Sequence, residues 1–278
     1  MAKSIRSFSL VNCLILKCQK FLQNFNIAIT SASNLARLQE TALDKSKFSL
    51  LFIRAMGKNH YKHMLALLDE SRAQLHQDLL VLAHTNYKQN GYFVEFGATN
   101  GILLSNTFLL EQNYSWKGIL AEPGRIWESS LRINRPNTKI STEIVWSHSN
   151  QIISFNENYD PELSTISHLQ TKKFQGLIYK INKTYKVRTI SLMDLLIENN
   201  APKFIDYLSL DTEGSELSIL QGFDFSKFSF GIITVEHNYN NDRDKIFALL
   251  SSAGYLRRFT DLSKWDDWCF NPRLLPTA

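Results

Sequence analysis

The 278-residue chain has three cysteines, six prolines and no apolar run long enough to cross a bilayer, and each scarcity narrows the field. Cys13, Cys18 and Cys269 are odd in number and show no C-x-x-C spacing. That pattern gives neither a disulfide framework nor a zinc site, and it fits a reducing, cytoplasmic setting. Charge is scarce too: 21% of residues are charged and the net is +5. This is too weak a balance to imply a nucleic-acid partner, though it tolerates an anionic substrate or a membrane surface. Phe8 to Leu16 is apolar except for Ser9 and Asn12. It falls far short of the roughly 20 residues a spanning helix needs, and Lys17 interrupts it before any secretory cleavage site. Lys3, Arg6, Lys17 and Lys20 flank it with no acid among the first twenty residues. Residues 1–20 are therefore expected to make at most a weak peripheral contact with anionic lipid.

What is present is arranged around Gly91 to Gly101, GYFVEFGATNG. Tyr92 to Phe96 is β-prone, Gly97 breaks it, and LLSNTFLLEQ reads as a helix, which together make the first βα unit of a nucleotide-binding α/β fold. Gly97 and Gly101 allow close backbone approach to a ligand. A dinucleotide fold carries G-x-G-x-x-G here to seat a pyrophosphate. Glu95, two residues before the first glycine, would repel that group and suits a cationic ligand without phosphate. S-adenosylmethionine is the candidate. A nicotinamide-dependent oxidoreductase is the rival enzyme, and Glu95 argues against it.

Residues 1–60 read as a helical or irregular N-terminal extension, with loop and helical pieces over 28–60, and 61–278 as the main domain. Tyr61 to Lys88 shows one long helical periodicity. Its histidines lack a carboxylate to complete a ligand set. Lys117 to Glu122 is the second strand, closed by Pro123 and Gly124, and Glu122 at its tip is placed to accept from a ribose diol. Lys139 to Trp146 reads as a third strand, Gln151 to Asn156 as an extra one, and 157–183 as a polar insertion or lid. Ser191 and Asp194 have capping-box spacing before a helix.

Phe204 to Leu210 runs into Asp211-Thr212-Glu213-Gly214-Ser215-Glu216. Three carboxylates this close raise one another's pKa or attract a cation. Glu216 is explained by a helix N-terminus, and Asp211 is not. Gly231 to Val235 delivers Glu236, His237 and Asn238 to the same edge, and Tyr255–Phe259 and Trp268–Phe270 read as antiparallel terminal strands. His237 is the natural base for a hydroxyl. The alternative is Asp211 with Glu236 or Asn238 holding a divalent ion such as magnesium.

FVEFGATNG, LSNTFLLE, GILAEP, VRTISLMDLL, IDYLSLDTEGSE and ITVEHN, in this order, resemble the FkbM family of S-adenosylmethionine-dependent methyltransferases. The resemblance runs from about Gly91 to about Arg273. It implies a class I methyltransferase fold: an open, mostly parallel Rossmann-like sheet with helices on both faces and an antiparallel terminal strand. It also implies O-methylation of a hydroxyl on a sugar, a polysaccharide precursor or a related metabolite. By position, Glu95, Gly97, Ala98 and Gly101 match the cofactor loop, and Glu122 matches the ribose acid. Asp211, Glu213 and Gly214 match the block facing the active site. Many members have Asp where this chain has Glu95. Trp146-Ser147-His148, near the expected adenine edge, keeps little family character. A non-catalytic binding module on the same fold is the other alternative.

Overall fold

A computed structural model describes residues 32–169, 173–174, 177–178 and 180–275. The expected lipid-contacting segment, residues 1–20, lies outside them. Among the described residues no helix is long and apolar enough to cross a membrane. The chain forms two compact units that divide between Leu50 and Leu51, where the sequence reading draws its line after residue 60.

The first described element is α1 (Ala32–Met56), a 25-residue helix where the sequence reads as loop with helical pieces. No glycine or proline falls within it, so nothing in the backbone stops the helix once formed. In the second unit the periodic stretch from Tyr61 divides into α2 (Tyr61–Leu67) and α3 (Gln77–His84). The break is stabilised by side chains. His76 sits in the left-handed region at φ 58°, Gln77 Oε1 accepts from Leu75 N (2.9 Å), and Asp78 Oδ1 accepts from Ser71 Oγ (2.7 Å).

The remaining elements follow in chain order: β1 (Tyr92–Phe96), α4 (Phe108–Tyr114), β2 (Lys117–Ala121), α5 (Glu128–Asn134), β3 (Lys139–Ser141), β4 (Ile144–Trp146) and β5 (Ile152–Asn158). Next come β6 (Thr165–Ile166), β7 (Lys173–Phe174), β8 (Leu177–Ile178), β9 (Ile181–Ser191), α6 (Leu192–Glu198), β10 (Phe204–Leu210) and α7 (Glu216–Gln221). β11 (Ser229–Glu236), α8 (Arg243–Ser252), β12 (Leu256–Arg258) and β13 (Asp266–Phe270) follow, with a short 3-10 turn at Pro272–Leu274.

The main sheet has the order β12-β13-β11-β10-β1-β2-β3. β3, β2, β1, β10 and β11 run parallel, and β13 is antiparallel to both neighbours. From β1 the chain steps outward to β2 and β3, then returns to the other side of β1 as β10. The order therefore reverses between β1 and β10, the point where open α/β sheets bind ligands at their carboxyl edge. Alternation along β1 sends Val94 and Phe96 into a core that includes Leu195 of α6, Ile219 of α7 and Ile246 of α8. Phe93 faces the opposite way, and Arg135, which follows α5, lies over its ring.

A second sheet, β4-β9-β5-β6, leaves the main one after β3. The stretch expected as one third strand is thus two. Lys139–Ser141 pairs with β2, and Ile144–Trp146 pairs with β9. Ser191 caps α6 as its spacing predicts, accepting from Asp194 N (3.0 Å).

Candidate active site

The carboxyl ends of β1, β2, β10 and β11 open on a cavity of about 330 Å³. Of the residues singled out from sequence, Glu95, Gly97, Glu122, Asp211, Glu213, Glu236 and Asn238 line it, while Ala98, Gly101 and His237 do not.

Glu95 is not a free anion awaiting a cation. It is buried, and its Oε1 accepts from Asn106 N (2.6 Å) while Oε2 accepts from Thr107 Oγ1 (2.5 Å) and Ser105 Oγ (3.0 Å). Burial raises its pKa, against the Arg135 charge and these bonds. Arg135 is itself wholly buried. Its Nε donates to Glu111 Oε2 (2.5 Å), Nη1 to Gly101 O (3.0 Å) and Nη2 to Thr107 Oγ1 (3.0 Å). The SNT-x-x-LE segment therefore forms one network that fixes the loop after β1. From sequence alone Arg135 has no assigned role.

Both loop glycines are required by the protein's own packing. Gly97 has φ 73°, and a Cβ there would lie 2.1 Å from the Asp211 carbonyl oxygen. At Gly101, φ 82°, a Cβ would lie 2.6 Å from Arg135 Cγ and 2.8 Å from Leu131 Cδ1. Gly97 thereby lets the tips of β1 and β10 touch, and Gly101 admits the buried arginine.

Glu122 closes the β2 tip. Oε2 accepts from Thr99 N (2.9 Å) and Oε1 from Gly124 N (2.7 Å), yet burial still pushes its pKa up to about 7. A carboxylate offers roughly four acceptor positions, so each oxygen keeps a lone pair for a hydroxyl. The neighbouring wall is Glu143, Ile144, Val145 and Phe155. Trp146 to His148, expected from sequence near the adenine edge, do not line the cavity.

At the β10 and β11 tips, carboxylate oxygens of Asp211, Glu213 and Glu236 lie within 4.8 Å of one another. Asn238, the other oxygen ligand that the sequence reading offered, lines the same cavity. Burial and then the Glu216 charge push Asp211 up to about 7. Burial and the neighbouring acids push Glu213 and Glu236 well above the usual carboxylate range. Glu216 is outside the group: its Oε1 accepts from Thr212 N (2.8 Å), Thr212 Oγ1 (2.8 Å) and Gly214 N (3.2 Å), which shapes the turn.

His237 turns away from the cavity. It is 1% exposed, its Nδ1 accepts from Tyr239 N (2.9 Å), and its Nε2 lies 3.7 Å from Asp267 Oδ1. Arg243 and Arg257 both hold that Asp267 at 2.9 Å. Burial lowers the pKa of His237. It follows Glu236 directly, and when Glu236 faces the cavity the next side chain faces the other side. Sequence reasoning also missed Asn106, Thr99, Gln74 and Trp265, all on the cavity wall.

A parallel sheet reversed at β1, an antiparallel strand set between β11 and the edge, and a crevice at the carboxyl tips define a class I methyltransferase fold. A family model described as the Methyltransferase FkbM domain matches residues 95–259, and the chain belongs to that family. No curated protein matches the chain. Among solved structures it is similar to a methyltransferase FkbM from Methylobacillus flagellatus KT, at 17% identity and a TM-score of 0.40. That match covers 65% of this chain and 43% of the other. It is also similar to a precorrin-6y C5,15-methyltransferase from Geobacter metallireducens GS-15, at 10% identity and a TM-score of 0.37, covering 65% and 71%. A TehB-like SAM-dependent methyltransferase from Corynebacterium glutamicum matches at 6% identity and a TM-score of 0.38, covering 77% and 96%.

Proposed function

We propose that the protein transfers a methyl group from S-adenosylmethionine to a hydroxyl of a sugar, a polysaccharide precursor or a related small metabolite. One observation carries the reading. Among the described residues, the cavity is lined by the carboxylates Glu95, Glu122, Glu143, Glu162, Asp211, Glu213 and Glu236, and by no lysine, arginine or histidine. Burial leaves several of these carboxyls partly protonated in the absence of a ligand. A cationic ligand restores their charge, so the wall favours a ligand with positive charge over the pyrophosphate of a nicotinamide cofactor. It also favours a neutral polyol over a phosphorylated acceptor, whatever the net charge of the chain.

When bound, the cofactor supplies an electrophilic methyl on a sulfonium. The protein's own part is to place and deprotonate. The free lone pairs of Glu122 accept from ribose hydroxyls, and Ile144, Val145 and Phe155 provide an apolar wall for the base. Asp211, with a pKa of about 7, takes the proton of the acceptor hydroxyl as the oxygen–methyl bond forms. His237 is off the cavity wall and packed against Asp267, so the role is given to Asp211. Alignment of the two reactants accounts for much of the remaining acceleration.

A second reading rests on the 4.8 Å clustering of Asp211, Glu213 and Glu236. These would hold a divalent ion such as magnesium, which would acidify the hydroxyl. Activity that survives EDTA and ignores added magnesium removes it. The cofactor reading is tested by thermal shift: S-adenosylhomocysteine should raise the melting temperature and NAD should not. Mass spectrometry of cellular polysaccharides with and without the protein should then show a lost methyl group. Its persistence would move the acceptor to another class, or point to a binding module without chemistry.

A further inference from the structure

From Leu51 to Leu68, the start of the second unit, the chain carries Arg54, Lys58 and Lys62 and no aspartate or glutamate. All three cations are exposed, and among the described residues none of them is in an ion pair. The end of α1 is anchored by Phe52, wholly buried, with its ring edge-on to Trp268 at 6.2 Å. In α2 the wholly buried residue is Met64. A helix turns about 100° per residue. Arg54, two residues after Phe52, and Lys62, two before Met64, therefore lie on the sides away from these anchors. Gly57, at φ 92°, ends α1, and Lys58 opens the short turn that leads into α2.

The same two helices carry apolar side chains that the fold leaves out. Leu51 is 56% exposed and Leu65 59%, each next to a residue that is wholly buried. One exposed leucine needs no explanation. Two of them, set among three unpaired cations in a segment without an acid, make the composition of a face that lies on an anionic bilayer. The leucines enter the boundary between headgroups and acyl chains, and the longer cations keep their charge at the phosphates. A nucleic acid would satisfy the cations and leave the leucines in water. We propose that the surface formed by residues 51–65 docks on a membrane containing anionic phospholipid. The docking needs neither cofactor nor acceptor, so it stands or falls apart from the methyl-transfer reading.

The full chain is sedimented with vesicles of phosphatidylcholine, and with vesicles of phosphatidylcholine and phosphatidylglycerol in equal parts. Each cation at an anionic surface contributes about fivefold to partitioning. The mixed vesicles should therefore bind the chain about a hundredfold more strongly than the neutral ones. Arg54→Gln, Lys58→Gln and Lys62→Gln together should abolish that preference. Leu51→Ser with Leu65→Ser should weaken binding about tenfold. Both variants should keep the parent's melting temperature, since all five side chains are exposed. Equal binding to the two kinds of vesicle overturns the proposal, as does a triple variant within about twofold of the parent. A leucine variant within about twofold also overturns it, and would make the face a site for an acidic protein or a nucleic acid. Lys3→Gln, Arg6→Gln, Lys17→Gln and Lys20→Gln together form the control. Loss of binding there, with the triple variant unchanged, moves the contact to residues 1–20 and ends the proposal. If the triple variant does not fold, Lys58→Gln alone, expected to lose about fivefold, decides with the leucine pair.

Discussion

Glu122 holds the Thr99 and Gly124 amides and keeps a lone pair on each oxygen, so one side chain both shapes the loop and can receive the ribose. Glu122→Ala should weaken S-adenosylhomocysteine binding at least about tenfold by calorimetry, the scale of a charge-assisted bond. Unchanged affinity would remove the ribose role. Gly97→Ala is a sharper test of packing. A methyl placed 2.1 Å from the Asp211 carbonyl at φ 73° should cost on the order of 3 kcal/mol. A urea midpoint equal to that of the parent would show that the two strand tips do not touch as described. Residue type at the strand ends was readable from sequence, because a carboxylate just before a glycine break is conspicuous. The direction and occupation of each lone pair were not. Glu95 looks like a free carboxylate in the sequence and is held by three hydrogen bonds from Ser105, Asn106 and Thr107. His237 looks like a base and faces Asp267, because one step along an extended backbone reverses the side chain.

The loop after β1 is held as an element, and Arg135 is its anchor. Removing one partner of a buried ion pair leaves the other charge uncompensated. Arg135→Met, which keeps the bulk over Phe93 and Phe108, should therefore cost about 3–5 kcal/mol. Amides of residues 98–107 should also lose hydrogen-exchange protection ahead of the rest of the sheet. Loss of stability spread evenly over all strands would make Arg135 an ordinary core residue. Such an anchor is hard to see in sequence, since Glu111 and Arg135 lie 24 residues apart and each alone reads as a helix-surface charge. The βα units were legible because short apolar strands alternate with glycine or proline stops. The boundaries failed where local pattern is silent. Nothing between Lys139 and Trp146 announces that Thr142 and Glu143 take the chain from one sheet to another. The polar composition of 32–56 likewise hides a helix that only the absence of breakers allows.

Taken as a whole, the molecule segregates part of its charge: the net is +5, yet the charged residues that line the crevice, among those described, are all acidic. Composition alone tolerates an anionic substrate because it averages over that division. The segregation also reaches beyond the cavity. Burial pushes Asp266 up to about 7 and Asp78 up to about 6, each against hydrogen bonds that favour the charged form. Both start from 3.8 in the absence of burial, so the folded chain binds protons more tightly than the unfolded chain between these limits. Stability from these groups is then full below about pH 4 and is lost as pH rises through 6 and 7. Asp266→Asn removes the buried charge and can still accept from Gln77 Nε2, the bond that Asp266 Oδ2 makes at 2.8 Å. The variant should be more stable than its parent at pH 8, by an amount on the order of a few kcal/mol. That gain should shrink through pH 7 and 6 and vanish near pH 4, where the parent carboxyl is protonated too. Urea midpoints measured across this range check it. An Asp266→Asn variant equally destabilised at every pH would mean that the Gln77 contact, and not the buried charge, governs this corner of the sheet.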